Sequence, residues 1–276
     1  TKLFADETTA PVLDPGRGRT KTGQFFAYAR DERPWGGADP PGVAYLYAPD
    51  RKAEQPIRHL QGFAGVLQVD GYAGYNTLAG KNAVSLAFCW SHVRRKFYDL
   101  AQGGPAPIAS EALLRIAELY RIEGDIRGCP AEERRNVRQT RSRPLVAALE
   151  PWLQGKLGLV SQKSKLAEAI RYALSRWAGL SRFLDDGRIE IDSNVVERAI
   201  RPIALNRKNA LFAGSDGGAE HWAVIASLVE TSKLKGVDPQ AYLVDVITRI
   251  VAGHPQSQID DLLPWAYASL PLKAVA

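Results

Sequence analysis

The chain has 276 residues, of which 45% are apolar, so it is long enough for one large domain or two smaller ones with a substantial core. Its 36 lysines and arginines outnumber its 30 acidic residues, and the net charge of +6 favours a polyanionic partner such as nucleic acid. Two cysteines exclude a disulfide framework, and no apolar run is long enough to span a membrane. We therefore expect a protein of a reducing cytoplasm. Because the sequence starts at Thr1 and contains no methionine, we also expect a piece of a longer protein.

The first hundred residues read as short apolar strands separated by turns rich in glycine and proline, with helices between the later strands. The predicted strands are Lys2–Ala5, Gln24–Arg30, Val43–Ala48, Gly65–Val69 and Val84–Phe88. The predicted helices are Ala53–Gln61, Tyr72–Leu78 and Ser91–Leu100. Three consecutive strands favour an antiparallel meander, and the later alternation of strand and helix favours parallel pairing. These patterns predict an α/β fold, a mixed sheet with helices on its faces.

After a Gly/Pro-rich linker at Gln102–Ala109, the strand pattern disappears between Ser110 and about Arg188. An apolar stripe at helical spacing runs through Leu166, Ile170, Ala173, Leu174 and Trp177. This stretch is therefore predicted to be all helical. The helical pattern continues to the end of the chain, with Asp238 as an N-cap, Pro239 as the first residue of a helix and Gly253 as its stop.

Two aspartates, Asp6 and Asp70, each close a predicted strand. Carboxylates at the ends of neighbouring strands meet at one sheet edge, where ligands of α/β proteins bind. Two such groups repel each other unless a cation or a proton lies between them, and hard oxygen ligands select Mg²⁺ or Mn²⁺. The alternative is that each residue simply ends a strand and begins a turn, as we expect for Asp14, Asp31 and Asp50.

A third acid, Glu197, lies in the densest polar run of the sequence. If Asn194 caps a helix, Glu197 occupies the third helical position, which is also the arrangement of a purely structural capping box. Four bases follow it, namely Arg198, Arg201, Arg207 and Lys208. A carboxylate among bases suits a metal-bound acid beside a phosphate backbone.

Cys89 and His92 have the spacing of half a zinc site, but the sequence offers no second half. They are interpreted either as a buried thiol and an imidazole at a helix start, or as part of a cleft in which His92, Arg94 and Arg95 contact DNA.

The helical stretch contains an arginine cluster and two tryptophans whose roles stay open. Of Arg134, Arg135, Arg138, Arg141 and Arg143, the residues at 134, 138 and 141 share a helical face. That face is either solvated or bound to a phosphate backbone. Trp152 and Trp177 either pack in the helical core or stack on an unpaired base.

Several motifs, in a fixed order over nearly the whole chain, carry a family resemblance. They are Ala5–Thr8 with Val12–Gly16, Gln68–Tyr72, Cys89–Phe97, Glu197–Pro202 with Asn206–Asn209, Tyr242–Leu243, and Leu262–Trp265. In these segments the chain resembles transposases of the insertion sequence 66 family. It departs from the family at Ser193, where paired asparagines are usual, although serine can still cap a helix.

The resemblance implies a DDE recombinase with a ribonuclease-H-like fold, built on a mixed five-stranded sheet. By motif position, the catalytic and metal-binding acids are Asp6, Asp70 and Glu197, which hold two Mg²⁺ or Mn²⁺ ions. The implied organisation is a catalytic core at 1–101 and 189–236, interrupted by a helical insertion at 102–188 and followed by a C-terminal helical segment at 237–276.

The implied activity is metal-dependent cleavage and strand transfer of an insertion sequence in the bacterial cytoplasm, at the nucleoid. Its partners are transposon-end and target DNA, a second copy of the chain, and other proteins of the element, and no membrane is involved. The family also carries upstream DNA-binding segments. Three alternatives stay open: a nuclease without strand transfer, a truncated non-catalytic DNA-binding remnant, and a metal-independent carboxylate-pair hydrolase such as a glycosidase.

Overall fold

A computed structural model describes residues 1–81 and 83–267 of the chain. Its strands are β1 (Lys2–Asp14), β2 (Arg19–Arg30), β3 (Gly42–Ala48), β4 (Gly65–Val69) and β5 (Val84–Phe88), and they form one sheet in the order β3-β2-β1-β4-β5. The pair β2–β3 is antiparallel, whereas β1–β4 and β4–β5 are parallel. This mixed sheet with flanking helices confirms the predicted fold class.

The α-helices of the described residues alternate with the later strands and then follow one another to the end of the chain. They are α1 (Glu54–His59), α2 (Ala73–Lys81), α3 (Trp90–Gln102), α4 (Pro107–Asp125), α5 (Ala131–Val137), α6 (Arg143–Gly158), α7 (Lys165–Leu174), α8 (Trp177–Ser181), α9 (Asn194–Ala210), α10 (Asp216–Leu234) and α11 (Pro239–Val251). Between α5 and α6, residues Arg138–Ser142 form a π-helical turn. The predicted helical stretch is thus observed, although α4 starts inside the predicted linker. No helix of the described residues is both long enough and apolar enough to cross a bilayer.

The first strand is longer than its sequence pattern indicated. We expected Asp6 to close a strand that ends there, but β1 continues to Asp14, so that prediction is wrong. The cause is that Ala10 and Val12 are both fully buried and continue the alternation of inward-facing residues beyond the acid. The strand ends at Asp14, whose carbonyl accepts a hydrogen bond from Arg17 N at 3.1 Å, as expected for a turn aspartate.

The chain divides into two compact units, of which the first comprises Thr1–Ala5, Glu32–Ala38 and Pro56–Asn194. One hydrophobic core joins β5 and α3 to the helices α4, α6, α7 and α8, so most of the helical stretch packs in the same core as the strand before it. Trp177 meets the buried Trp90 ring edge to face at 5.7 Å, and Trp152 packs against the same core, which favours their predicted packing role. The boundary expected at residue 102 stays a prediction.

The second unit comprises Asp6–Asp31, Asp39–Gln55 and the chain from Val195 onward. Helix α10 covers the edge strand β3, because the Thr231 hydroxyl accepts from Val43 N at 3.1 Å and the Ser227 hydroxyl accepts from Tyr45 N at 2.8 Å. At the start of α11 the Asp238 carboxylate accepts from Ala241 N at 2.8 Å, which confirms the predicted N-cap.

Candidate active-site residues

Asp70 directly follows β4 in the first unit, and both its side chain and its backbone are fixed. Its Oδ1 accepts a hydrogen bond from Tyr72 N at 3.1 Å, and its carbonyl accepts one from the Tyr172 hydroxyl at 2.7 Å. The Asp70 side chain stays partly exposed. A partly exposed carboxylate on a fixed backbone is suited to binding a ligand, because its position is set before the ligand arrives.

The turn after Asp70 is held by Tyr172 of α7 and by Arg176, which follows α7. Gly71 has a φ of +116°, a conformation that favours glycine, and a Cβ there would lie 2.6 Å from Arg176 Nε and displace that side chain. Arg176 also lies over the Tyr172 ring at 4.0 Å. Burial raises the pKa of the Tyr172 hydroxyl, with a smaller contribution from the charge of Asp70, so the hydroxyl stays protonated and can donate.

The segment that leads into α9 is fixed along β4 and the start of α3. The buried Gln68 side chain donates to the carbonyls of Glu190 at 2.6 Å and Asp192 at 3.0 Å. Next to it, Trp90 N donates to Ile191 O at 3.0 Å. The segment before α9 is therefore positioned by one side chain of β4 and by the first backbone N–H of α3.

Helix α9 begins at Asn194, so Glu197 is its fourth residue. The Asp192 carboxylate accepts from Asn194 N at 3.2 Å and from Asn194 Nδ2 at 2.7 Å. The Asp192 carboxylate, five residues before the predicted catalytic acid, therefore stabilises this helix start.

In the second unit, Asp6 and Glu7 follow each other on β1. Asp6 Oδ1 accepts from Glu7 N at 2.8 Å, and Glu7 Oε1 accepts from Arg51 Nε at 3.0 Å. The Glu7 side chain is 2% exposed, whereas the side chain of its partner Arg51 is 51% exposed. The sequence did not lead us to predict Glu7 as a site residue, although it directly follows the predicted acid Asp6.

The predicted DNA contacts on α3 and α9 are mostly exposed. Arg94 and Arg95 are exposed on α3, where Arg95 also pairs with Asp99 at 3.1 Å. On α9 the exposed bases are Arg198, Arg201 and Lys208. Arg207 differs from them, because its Nη1 donates to the carbonyl and the hydroxyl of Thr9 at 2.8 and 2.7 Å. That side chain anchors α9 to β1, so we do not include it among the proposed DNA contacts.

Two of the predicted phosphate contacts in the helical stretch lie in the interior. Arg134 and Arg138 are 2% and 0% exposed and pair with Glu123, and Arg134 also pairs with Glu190 at 2.8 Å. A guanidinium enclosed among carboxylates cannot reach a DNA backbone, so the expectation of DNA contact at these two positions is wrong. Arg141 is on the surface, where it pairs with Asp125 at 2.7 Å.

Cys89 and His92 lie close together at the start of α3. The buried Cys89 sulfur accepts a hydrogen bond from Ser193 N at 3.3 Å, and a ring nitrogen of the partly buried His92 lies within 4.8 Å of that sulfur. Cys89 therefore matches the prediction of a buried thiol, and it helps to fix the segment before α9.

The mixed five-stranded sheet with flanking helices makes the chain an α/β protein of the ribonuclease-H-like type. Comparison with protein families identifies the family. The chain belongs to the IS66 family of transposases: the family described as "Transposase IS66 family" matches residues 1–221, and the "IS66 C-terminal element" matches residues 227–265. The resemblance found in the sequence motifs is thereby confirmed.

Three curated proteins of Sinorhizobium fredii (strain NBRC 101917 / NGR234) are similar to this chain. They are named uncharacterized protein y4qI, y4jD and y4hP, and they are 51%, 49% and 41% identical over 273, 271 and 282 residues. Each alignment covers 96% of this chain but only 50–53% of the relative. The chain thus spans about half the length of these curated relatives.

Proposed function

We propose that this chain forms the catalytic part of a DNA transposase that cleaves DNA strands and transfers them, with Asp6, Asp70 and Glu197 as its metal-binding acids. The observation that carries the proposal is the register of β1 and β4, in which Phe4 pairs with Gln68. Asp6 and Asp70 each follow these partners by two residues. Neighbouring strands lie about 4.8 Å apart, and residues two apart share a face, so the register supports the two acids being neighbours.

The approach to α9 supports the third acid. The Asp192 carbonyl is bound to the side chain of Gln68, two residues before Asp70, and the helix begins at Asn194. Glu197 is three residues further along, a rise of about 4.5 Å at 1.5 Å per residue. The segment that leads into α9 is thus tethered to β4, and this tether supports the proposal of Glu197 as the third acid.

The donor set fits Mg²⁺ or Mn²⁺, because carboxylate oxygens are the hard ligands that these ions prefer and clustered carboxylates need a cation between them. Two bound ions would stabilise the attacking and the leaving oxygen during phosphoryl transfer. In this proposal Tyr172 fixes the backbone of Asp70, and Gln68 fixes the segment before the helix that carries Glu197. The exposed Arg94, Arg95 and Arg198 hold the DNA backbone beside them.

The test uses the full-length protein and compares Asp70→Asn with wild type. The variant lacks the Asp70 charge, which weakens the metal site. Mg²⁺-dependent nicking should therefore fall at least about a hundredfold, which corresponds to a loss of about 2.7 kcal/mol of transition-state stabilisation. DNA binding in EDTA, measured by gel shift, should stay equal or improve, since a carboxylate repels phosphate. Joining of labelled 3′ ends to a target plasmid separates strand transfer from simple cleavage.

The matched control is Asp50→Asn, which neutralises a partly exposed turn aspartate that accepts from Lys52 N at 3.1 Å. It should nick like wild type. Undiminished nicking by the Asp70 variant would remove Asp70 from the site and, with it, the proposed mechanism.

A further inference from the structure

One face of α9 is exposed from Arg198 to Lys208 and combines bases with an apolar residue. Arg198, Arg201, Leu205 and Lys208 follow one another at intervals of three or four residues, which places them on one side of the helix. Leu205 is 52% exposed. Beyond the end of the helix the surface becomes apolar at a corner formed by Leu211 and Phe212.

This corner is unusual in both exposure and backbone conformation. Leu211 and Phe212 are 65% and 44% exposed. Leu211 has a φ of +50°, and within residues 1–81 and 83–267 it is the only residue other than glycine with a positive φ. The left-handed conformation costs a side-chain-bearing residue about 1–2 kcal/mol, and such strain is common at functional sites. Because Leu211 is largely exposed, burial of its side chain offsets little of this cost.

The corner is held firmly from both sides within the second unit. Before it, Arg207 is bonded to Thr9 of β1. After it, Ala213 N donates to Pro11 O at 2.9 Å, and Ala213 O accepts from Leu13 N at 2.8 Å. Two apolar side chains are therefore presented to solvent on a support that is fixed to a strand.

We propose that the Leu211–Phe212 corner is a wedge that inserts between DNA base pairs, while Arg198, Arg201 and Lys208 hold the adjacent backbone. Apolar side chains that unstack a base step, flanked by cations that bind phosphate, are a common device for gripping deformed DNA. Charge complementarity selects DNA over a second protein surface, because the cores of protein interfaces are depleted in charged residues. The inference rests on the proposed function, since it requires that the chain binds DNA.

The experiment measures base unstacking separately from binding. The full-length protein is titrated in EDTA and low salt with a 30-base-pair duplex in which 2-aminopurine replaces alternate adenines. Wild type should raise the 2-aminopurine fluorescence at saturation by about twofold or more, because an inserted side chain unstacks the probe. The double variant L211A/F212A should lose most of that rise and keep its Kd within about threefold, because phosphate contacts supply most of the affinity.

Two further variants make the result specific. Phe212→Trp should keep the fluorescence rise, since an aromatic wedge remains. Leu159→Ala removes an apolar side chain that is 77% exposed at the end of α6, and it should behave like wild type.

The possible failures are distinguishable. If wild type does not bind the duplex, both the proposed function and the wedge are overturned. If wild type binds and L211A/F212A keeps the full fluorescence rise, the wedge alone is overturned. The wedge is also overturned if L211A/F212A gives the same fluorescence rise as wild type but no longer self-associates in sedimentation. The corner would then contact a second copy of the chain.

Discussion

Two arginine guanidinium groups are enclosed in the first unit and tie the helical stretch to the segment before α9. Arg138 forms a two-point pair with Glu123, at 2.7 Å from Nε to Oε1 and 2.6 Å from Nη2 to Oε2. Arg134 pairs with Glu190, whose backbone is bonded to Gln68. Such charges stay in an interior only when they are paired, because an unpaired charge there is costly.

Removing Arg134 should therefore cost far more stability than removing a surface arginine. We predict that Arg134→Gln lowers the free energy of unfolding by roughly 3–5 kcal/mol, since it removes the ion pair of the largely buried Glu190 and one of the two arginines that pair with Glu123. The measurement is urea unfolding followed by circular dichroism. The matched control is Arg141→Gln, which breaks the surface pair with Asp125 and should cost less than about 1 kcal/mol. Equal costs for the two variants would contradict the buried network.

His59, at the end of α1, should make stability depend on pH. Burial, with a smaller effect from the neighbouring Arg58 charge, lowers its pKa from 6.5 to about 4. Between these values the unfolded chain binds a proton that the folded chain does not, so stability should fall as the pH drops from about 6.5 towards 4. The side chain is partly exposed, so the slope should stay well below the limit of about 1.4 kcal/mol per pH unit for one group.

Thermal unfolding at pH 7, 6 and 5 measures this effect. His59→Gln has no titrating imidazole, so its loss of stability over this range should be smaller than that of wild type. The prediction fails if both proteins lose the same stability between pH 7 and pH 5.

At the scale of elements, α7 positions Asp70 through the Tyr172 hydroxyl. Tyr172→Phe leaves the Asp70 carbonyl without this donor and loosens the backbone of a proposed metal ligand. A loss of about 1 kcal/mol in metal binding would raise the Mg²⁺ concentration for half-maximal nicking about fivefold. Titrating Mg²⁺ in a nicking assay of the full-length protein measures this shift.

Tyr242→Phe is the control for a general loss of packing. It removes an equivalent hydroxyl, which donates to Leu262 O at 2.7 Å in the C-terminal core of the second unit. Its Mg²⁺ dependence should match that of wild type. A similar shift in both tyrosine variants would show that the effect comes from stability and not from the position of Asp70.

The strands and helices could be predicted from the sequence because their signals are local. Short apolar runs between turn residues located β3, β4 and β5, and Asp238 with Pro239 marked the start of α11. The end of β1 could not be located, since the polar Glu7–Thr9 interrupts the apolar pattern although the strand continues to Asp14. Local signals also do not report strand register, which the fold sets through pairing of distant segments.

The surroundings of the candidate site depend on contacts between residues that are far apart in sequence. The Asp70 carbonyl is bonded to the hydroxyl of Tyr172, which lies 102 positions later in the sequence, and no local pattern predicts this contact. The arginine face was misread for a related reason: periodicity groups Arg134, Arg138 and Arg141 but does not tell which side of the helix faces the core. Glu123 and Glu190, the partners that make burial possible, lie on other segments.

At the scale of the whole molecule, DNA binding depends less on the net charge of +6 than on where the accessible positive charges lie. Buried arginines such as Arg134 and Arg138 contribute to the net charge but cannot contact a polyanion. Many exposed arginines of the helical stretch are paired, for example Arg115 with Glu111 at 2.8 Å. The exposed bases of α9 are therefore better candidates for DNA contact than the overall charge would indicate.

The salt dependence of DNA affinity tests this distribution of charge. Each phosphate contact to duplex DNA contributes about 0.9 to the slope of log K against log salt. Replacing Arg198, Arg201 and Lys208 together with glutamine should therefore reduce the slope by up to about 2.7. Fluorescence anisotropy of the full-length protein with a labelled duplex, in EDTA at 50–200 mM salt, gives the slope.

A second triple variant changes the net charge by the same amount at paired positions. Arg115, Arg121 and Arg141 are exposed, and each forms an ion pair with an acid on α4. Replacing these three with glutamine should change the slope by less than about 1, because their charge is already compensated locally. Equal reductions in the two triple variants would mean that net charge alone drives binding and that the exposed face of α9 has no special part in it.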